Sequence, residues 1–380
     1  MDRELSRHTW DAIVIGAGPA GAVSGLLLAR EGLDVLIIER KTFPRTKVCG
    51  GCLNGHAIGV LRRAGVLDGL KAAGARGYRS MALVSGRRRV TLDLPGGLAV
   101  SRLTLDGMVA QAAVAAGCSL LTGATGTVQP DDGTVREERR LVQVEPTGQE
   151  AVLVAGRVVI AADGLARHSL RLCAGFEGHV WSRSRIGLGT LVDPGTFAAP
   201  DHTILMAVGR SGYVGAVQVE AGRVNVAAAV DPGELRAAGA ARCVAAILRE
   251  AGVVLPGTVE DVHWQGTPPL TQHLARPVGY RLLVVGDASG YVEPFTGEGM
   301  AWALGAAELA VPFACEGRQE WSAGLEHRWL RAHREAIGRE QRWCRIVSGL
   351  LRYPGAVRTV VRALEAEPRL ARPVLKHLTP

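Results

Sequence analysis

The sequence predicts an α/β protein in which a Rossmann-like domain is interleaved with an antiparallel β-sheet domain and followed by C-terminal helices. Three observations predict this fold. Residues 11–40 change hydrophobic period twice, from strand to helix to strand. Residues 79–95 and 186–266 contain runs that alternate apolar and polar residues around Gly and Asp turns. From residue 325 onward, apolar residues recur at helical spacing among arginines.

The first unit is a strand–helix–strand motif with a glycine-rich turn. Gly16, Gly18 and Gly21 match the pattern G-x-G-x-x-G. In this pattern the first glycine permits a tight turn, the second lets a pyrophosphate approach the backbone, and the third lets the helix pack on the strand. Glu39 ends the second strand, where a carboxylate can accept hydrogen bonds from ribose hydroxyls. The arrangement predicts a dinucleotide site without deciding between NAD and FAD.

Residues 281–310 form a second candidate cofactor segment. The apolar strand RLLVVG ends at Gly286 and Asp287, and a loop containing Pro294 leads through Gly297 and Gly299 into an apolar helix. Asp287 can accept a hydrogen bond from a sugar-like hydroxyl, and the start of the helix can offer N–H groups to a phosphate. This segment favours a cofactor with a ribityl chain and a second phosphate.

Together these motifs resemble the FAD-dependent oxidoreductases with the para-hydroxybenzoate hydroxylase fold. The glycine-rich start, VIAADG at 159–164 and VGDASGYVEPFTGEG at 285–299 occupy the three flavin-motif positions of that family in the same order. The segment VSRLTLDG resembles its Arg-x-x-x-Asp motif, which implies Arg102 as a cofactor contact and Asp106 as its structural partner. The resemblance implies noncovalently bound FAD held by Gly16, Gly18, Pro19, Ala20, Gly21, Glu39, Arg40, Lys47, Gly50, Gly51, Arg102, Asp163, Gly164, Gly286, Asp287, Pro294, Gly297, Gly299 and Met300.

The stretch KVCGGCLNG at 47–55 allows three interpretations: half of a zinc site, a redox dithiol, or a loop against the cofactor. The chain has no second C-x-x-C pair, which disfavours structural zinc, and we predict no metal site. A Lys-x-Cys-Gly-Gly loop beside the flavin marks the geranylgeranyl reductase branch of the resembled family. The resemblance implies that Cys49 faces the substrate side as the candidate catalytic residue and that Cys52 points away. A redox disulfide between the two stays open.

The substrate side departs from that branch. YVGAVQ at 213–218 corresponds to its Tyr-x-Trp-x-Phe-Pro segment and keeps only Tyr213. We expect Tyr213 and Phe295 in a pocket for a hydrophobic aromatic or polyketide-like small molecule. The sequence interpretation therefore places an FAD-dependent monooxygenase first, with NAD(P)H as a transient reductant. Reduction of isoprenoid or lipid C=C bonds is the alternative, and a non-catalytic flavin-binding protein is the third.

Charge limits the partners. From residue 325 to the C-terminus, twelve basic and five acidic residues carry +7 of the net charge of +8. Because arginines on a helix more often form a solvated face, we predict no nucleic-acid partner. A peripheral membrane contact through these basic helices is the sharper alternative. Seven scattered cysteines and the lack of a long apolar segment predict a reduced, cytoplasmic protein, and the oligomeric state is left open.

The expected domain division is discontinuous. Residues 10–78, 100–178 and 276–324 are assigned to the FAD-binding domain, residues 79–99 and 179–275 to the substrate-binding β-sheet domain, and residues 325–380 to a C-terminal helical segment.

Overall fold

The computed structural model describes residue 5 and residues 8–86, 88–131, 138–253, 261–295 and 297–371. It confirms the predicted α/β class, with a parallel sheet, a separate mostly antiparallel sheet and C-terminal helices. Residues 372–380, which include Arg372 and Lys376 of the predicted basic tail, lie outside the described residues.

The elements follow in chain order. The strands are β1 (Thr9–Ile15), β2 (Val35–Glu39), β3 (Cys52–Leu53), β4 (Arg76–Ser85), β5 (Arg88–Ala99), β6 (Ser119–Thr122), β7 (Ala124–Val128), β8 (Arg140–Pro146), β9 (Val152–Ala161), β10 (His179–Val180), β11 (Ile186–Val192), β12 (Thr203–Val208), β13 (Gly212–Gln218), β14 (Val224–Val230), β15 (Gln265–Pro269), β16 (Gln272–His273), β17 (Val278–Gly279), β18 (Leu282–Val284) and β19 (Gly290–Tyr291). The helices are α1 (Pro19–Arg30), α2 (Gly55–Arg63), α3 (Leu67–Ala72), α4 (Arg102–Ala115), α5 (Pro232–Ala238), α6 (Ala240–Glu250), α7 (Gly299–Gln319), α8 (Ala323–His333), α9 (Arg339–Leu350) and α10 (Pro354–Ala366).

The parallel sheet carries the glycine-rich turn. Its order is β17-β18-β9-β1-β2-β6, and β8 and β7 extend it from β9. Ile13 and Val14 of β1 are fully buried, as expected for a strand covered on both faces. Ala161 of β9 pairs with Ile15 on one side and with Val284 on the other, and both pairings are parallel. The carboxyl ends of β1, β9 and β18 therefore meet at one edge.

The second sheet has the order β15-β11-β14-β13-β12-β4-β5-β3, and its pairs are antiparallel except for β12 with β4. Apolar residues of one face, including Val214 and Ala216, pack with Val244 of α6. Tyr213 and Met206 lie in a different apolar cluster, on the opposite face.

Three details of this sheet differ from the sequence expectation. The sheet begins at Arg76 rather than residue 79, and Cys52–Leu53 adds an edge strand beside β5. The run DVHWQG at 261–266 becomes a strand only at Gln265. Residues 232–250 form helices α5 and α6, which the predicted strand pattern across 186–266 did not include. In α6 the buried residues Cys243, Val244, Ile247 and Leu248 recur at helical spacing, so the signal was present in the sequence.

The C-terminal helices pack back on the body. Trp329 of α8 is fully buried, and its indole N–H donates to the Pro277 carbonyl oxygen at 2.9 Å. Leu351 and Val357 join the same apolar cluster as Tyr213 of the second sheet. Pro354 begins α10 and separates it from α9. The tail therefore covers the end of the sheet face that carries Tyr213.

Glu220, which follows β13, joins the second sheet to helix α4. Its carboxylate accepts hydrogen bonds from the Ser101 N–H at 3.0 Å and the Thr104 hydroxyl at 2.8 Å, at the start of α4. Although burial alone would raise it, these hydrogen bonds lower the pKa of Glu220 below its ordinary value. The Glu220 carboxylate thus stays ionised, and its hydrogen bonds fix the start of α4 against the second sheet.

The pH dependence of stability should reveal the packing of α8. Burial lowers the pKa of His333 from 6.5 to about 4, and its Nε2 lies 3.0 Å from the Ser289 hydroxyl. Because the unfolded chain binds the proton more readily, the stability contributed by neutral His333 is complete above about pH 6.5 and is lost toward about pH 4. Between about pH 6.5 and about pH 4, the free energy of unfolding of His333→Gln should decrease less than that of the wild type. Urea denaturation at several pH values measures this difference. A slope equal to that of the wild type would contradict the assignment, and His327→Gln on the same helix is the control.

Candidate active site

One cavity of about 780 Å³ runs from the carboxyl edge of the parallel sheet to the face of the second sheet. All but one of the predicted site residues line it. The lining residues from the prediction are Gly16, Gly18, Pro19, Ala20, Glu39, Arg40, Lys47, Cys49, Gly50, Gly51, Arg102, Asp163, Gly164, Tyr213, Gly286, Asp287, Pro294, Phe295, Gly297, Gly299 and Met300. Segments that are far apart in the sequence therefore form one site.

Gly21 is the exception, and its environment explains why. A Cβ atom at Gly21 would stand 1.8 Å from the Gly16 carbonyl oxygen, so α1 can approach β1 only with glycine here. A Cβ at Gly18 would meet nothing nearer than the Arg102 guanidinium at 3.6 Å. Gly21 therefore serves packing, whereas Gly18 leaves room at the cavity wall, as the pattern predicted.

Two arginines flank this turn and share one carboxylate. Asp106 is fully buried and accepts a bidentate pair from Arg102 at 2.6 and 2.8 Å. Arg45 lies 3.1 Å from Asp106 and donates to the Ala17 carbonyl oxygen at 3.0 Å. The Nε and Nη1 atoms of Arg45 are buried and have no hydrogen-bond partner among the described residues. Buried donors of this kind require an acceptor, and a phosphate oxygen at the glycine-rich turn fits that requirement.

Glu39 also points into this end of the cavity. One of its oxygens accepts a hydrogen bond from the Ala17 N–H at 2.9 Å and the other from the Lys41 N–H at 3.0 Å. Each carboxylate oxygen keeps a second lone pair that can accept a hydroxyl. Binding of the ribose by Glu39 stays a prediction.

The middle of the cavity contains groups of both charges. Burial, together with the charges of Arg45 and Arg102, lowers the pKa of Lys47. Burial raises the pKa of Asp287, against the opposing effect of Arg102 and Lys47. Asp163 accepts hydrogen bonds from the N–H and the hydroxyl of Ser169, which orients its carboxylate. Asp287 lines the cavity, where its carboxyl group can form a hydrogen bond with a hydroxyl group of a bound molecule.

The Cys-Gly-Gly loop passes between the two sheets. Asn225 of β14 donates a hydrogen bond to the Cys49 carbonyl oxygen at 2.7 Å, and Gly51 adopts a left-handed φ of +73°. A Cβ at Gly51 would crowd Asn225 at 3.2 Å, whereas one at Gly50 would meet nothing within 4 Å. The second sheet therefore fixes the backbone of the loop, and Gly50 leaves open space beside it.

Both thiols of the loop are free in this structure. The Gly51 N–H donates to Cys49 Sγ at 3.4 Å, and Cys52 Sγ donates to the Gly50 carbonyl oxygen at 3.5 Å. Burial raises the pKa of both thiols, so neither is an activated thiolate. We expected Cys52 to point away from the site, but it lines the same cavity and packs with Tyr78. The edge strand β3, which the sequence did not indicate, turns it inward.

The far end of the cavity is apolar and aromatic. Tyr213 and Phe295 stack edge to face with ring centroids 5.1 Å apart. Behind them, Arg185 lies 5.6 Å from the centre of the Tyr213 ring and 3.1 Å from the Glu293 carboxylate. Burial raises the pKa of Tyr213 well above its ordinary value, and the nearby Glu293 carboxylate raises it further. The phenol is therefore protonated throughout the neutral range.

Sequence reasoning missed three residues of the site. Arg45 stands two positions before Lys47, and that pair of cations was the available signal. Asn225 is a polar residue inside the apolar strand VNVAAAV, which signals a specific hydrogen bond. Tyr291, which lines the cavity beside Asp287, lies within the recognised motif but was not singled out.

Comparisons with known proteins support an FAD-binding fold. The family described as FAD binding domain matches residues 9–320. The chain is 30% identical to digeranylgeranylglycerophospholipid reductase 1 of Methanopyrus kandleri over 82% of both chains. It is 29% identical to the menaquinone reductase of Mycobacterium tuberculosis over 79% of this chain and 75% of that one.

Solved structures show the same fold at lower identity. The flavin-dependent brominase Bmp2 superposes with a TM-score of 0.76 at 17% identity, covering 98% of this chain and 93% of that one. Pseudomonas aeruginosa PqsL in complex with 2-aminobenzoylacetate superposes with a TM-score of 0.73 at 18% identity, covering 92% and 98%. These likenesses support the architecture and not the reaction.

The residues present fit FAD. The unpaired donors of Arg45 and the open space at Gly18 suit the pyrophosphate, and Glu39 suits the adenosine ribose. Asp287 suits a ribityl hydroxyl, and the Cys49–Gly51 loop lies where the cavity continues toward the apolar end.

Two glycine substitutions should separate cofactor binding from folding. Gly18→Ala places a methyl group in the cavity wall without a protein clash, so the variant should fold but lose FAD affinity by about tenfold or more. Gly21→Ala forces a methyl group onto the Gly16 carbonyl and should instead reduce soluble yield and Tm. FAD content by absorbance and Tm of the apoprotein measure the two effects. A Gly18→Ala protein with full FAD content would refute the assignment.

Proposed function

Because the chain belongs to the FAD binding domain family and is an FAD-dependent oxidoreductase, we propose that it reduces a C=C bond of a hydrophobic, isoprenoid-like small molecule. The observation that carries the proposal is a protonated tyrosine, Tyr213, at the apolar end of the cavity that also contains the cofactor residues.

This proposal reverses the order expected from the sequence. Monooxygenation came first there because YVGAVQ lacks the aromatic wall of the reductases. The matched relatives that share 29–30% identity over about four fifths of this chain are named as reductases. The brominase shares the fold at 17% identity, so it gives no comparable support for an oxygen-dependent reaction. On this view, the loss of the reductases' aromatic residues from YVGAVQ at 213–218 changes the shape of the substrate that fits and does not change the type of reaction.

The apolar end can hold a long, flexible hydrocarbon. Met81, Ile204, Met206 and Phe295 line it together with Gly215, which stands where the resembled reductases have tryptophan. Methionine side chains adapt to irregular apolar shapes, and glycine removes bulk from the wall. The cavity therefore favours an apolar chain over a sugar or nucleotide.

FAD, when bound, supplies the hydride for reduction of a C=C bond. The second requirement is a proton for the other carbon, and Tyr213 can hold that proton on its hydroxyl oxygen. Arg185, over the ring, would stabilise the phenolate that remains. Glu293, which pairs with Arg185, lies beside Tyr213 and helps to hold its side chain in place.

Hydroxylation of an aromatic compound is the second candidate. The edge-to-face pair of Tyr213 and Phe295 favours it, because the pair offers aromatic surfaces for a flat ring. In that case Tyr213 would donate a hydrogen bond to the substrate instead of a proton. NAD(P)H stays the proposed reductant in both cases.

One experiment separates the two reactions. The FAD-loaded protein is reduced anaerobically with dithionite, NADH or NADPH and mixed with isoprenoid alkenes or with phenols, before and after oxygen is admitted. Mass spectrometry should show addition of two hydrogen atoms to an alkene without oxygen. Addition of one oxygen atom, only after oxygen is admitted, would instead establish the second candidate.

Removing the Tyr213 hydroxyl should slow proton transfer specifically. Tyr213→Phe keeps the ring against Phe295, so FAD content and flavin reduction should match the wild type while kcat falls by about 10²-fold. In deuterated water the kcat of the wild type should show a solvent isotope effect, because proton transfer from the Tyr213 hydroxyl is part of the reaction. An unchanged kcat and an unchanged solvent isotope effect in Tyr213→Phe would rule out Tyr213 as the donor, and the exposed Tyr353→Phe is the control.

The two loop cysteines should respond differently to serine substitution. Cys49→Ser keeps the side-chain size at the cavity wall and should alter turnover or substrate preference at full FAD content. Cys52→Ser places a hydroxyl in a buried apolar cluster and should mainly lower stability, by about 1–3 kcal/mol. Equal loss of activity in both single mutants and the double mutant, with two thiols consumed on oxidation, would favour the redox dithiol instead.

A further inference from the structure

A second, smaller cavity of about 240 Å³ adjoins the main one. Thr46, Lys47 and Cys49 line both cavities, so the chain segment that carries them forms a shared wall. Leu191 of β11 lines the second cavity and not the main one. The roles assigned above to FAD and to the apolar substrate leave this second cavity unused.

Three neighbouring strands of the second sheet hold the shared wall. Gln265 of β15 donates a hydrogen bond to the Thr46 hydroxyl at 2.6 Å, and the hydrogen bond from β14 to the Cys49 carbonyl oxygen holds the other end. Between them, a Cβ at Gly189 of β11 would stand 3.1 Å from Val48 Cα, so the segment lies directly on that strand. Strands β15, β11 and β14 are adjacent in the sheet, and the second cavity therefore exists without any movement of the Cys-Gly-Gly loop.

The lining of the second cavity is polar and positively charged. Lys47 forms no hydrogen bond or ion pair with another described residue, whereas Asp106 compensates the charge of Arg102. The described residues that line this cavity include no acid, and His263 adds a ring nitrogen that can donate a hydrogen bond. Because a cation without a counter-charge attracts an anion, the cavity suits a molecule that carries phosphate or carboxylate groups.

Size and hydrogen-bonding groups narrow the choice of ligand. Pockets that enclose a whole drug-sized molecule measure about 300–1,000 Å³, so the second cavity suits one end of a larger molecule. The Thr46 hydroxyl and the Gln265 amide oxygen can bind the hydroxyl groups of a sugar. A nucleotide such as NAD(P)H carries both phosphates and ribose hydroxyls, whereas a hydrocarbon chain offers neither.

We propose that the second cavity binds the nucleotide reductant NAD(P)H, with Lys47 and His263 beside its phosphates. This inference rests on the proposed function, which takes NAD(P)H as the reductant, and it adds the place where the nucleotide binds. Because the apolar substrate belongs at the Tyr213 end of the main cavity, both molecules can be bound at the same time.

Equilibrium dialysis of the FAD-loaded protein against NAD⁺ and NADP⁺ tests the proposal without turnover, since the oxidised nucleotides cannot reduce FAD. At least one of the two should bind, and added salt should weaken the binding because Lys47 attracts the phosphates. Absence of binding by both nucleotides, or binding that salt does not change, would overturn the proposal.

Filling each cavity in turn locates the nucleotide. Leu191→Trp places an indole in the second cavity and should weaken nucleotide binding by about tenfold or more at full FAD content. Met206→Phe adds bulk at the apolar end of the main cavity and should leave the Kd of the nucleotide unchanged. Leu153→Trp, at a side chain that is 52% exposed, is the control. Unchanged binding in Leu191→Trp, or loss of binding only in Met206→Phe, would refute the assignment.

A surface variant keeps the test decisive if Leu191→Trp does not fold. His263→Ala removes an exposed side chain and should weaken nucleotide binding by about three- to tenfold, and the exposed His327→Ala is the matched control. Equal binding by these two variants and the wild type would place the nucleotide elsewhere.

The reductase proposal is tested separately from this site. Dithionite reduces FAD without any nucleotide, so the reaction of the dithionite-reduced wild type with an isoprenoid alkene does not depend on the second cavity. Failure of that reaction with nucleotide binding intact would contradict the proposed reaction alone, and the opposite result would contradict the nucleotide site alone.

Discussion

The parallel alignment of β1, β9 and β18 is the constraint on which the site depends. Parallel neighbours present their carboxyl ends at the same edge, and loops after adjacent strands therefore meet. Here the amide N–H groups of Ala162 and Val285 donate to the last carbonyls of β1 and β9, so the register between the three strand ends is fixed. The glycine-rich turn, the Asp163 loop and the Asp287 loop are consequently parts of one cavity wall.

This wall sets up a cavity with two chemically different ends. At the cofactor end the buried carboxylate of Asp106 holds both Arg45 and Arg102, which compensates its charge and orients their remaining donors. At the other end, Arg185 and Glu293 lie behind the aromatic pair of Tyr213 and Phe295. They form an ion pair that is buried from water. The charged end of the cavity therefore suits the anionic FAD, and the apolar end suits the apolar substrate that we propose.

The C-terminal helices serve the site from outside. Leu351 and Val357 close the apolar cluster around Tyr213, and Arg352 pairs with Asp231 beside Arg185. These contacts tie the packing of the C-terminal helices to the apolar end of the cavity.

The sequence by itself determined the features that depend on local geometry. The glycine spacing, Glu39 and Asp287 mark the ends of strands, and each follows from the backbone conformation of a short segment, so the FAD-binding fold and most of the residues that line the cavity were predictable. Only the tertiary structure decided the rest. The inward position of Cys52 depends on its pairing with β5, and the hydrogen bond of Asn225 to the Cys49 loop spans 176 positions. The raised pKa of Tyr213 arises from burial against residues of distant segments. Burial and contact between remote segments are properties of the packed chain, and no local pattern encodes them.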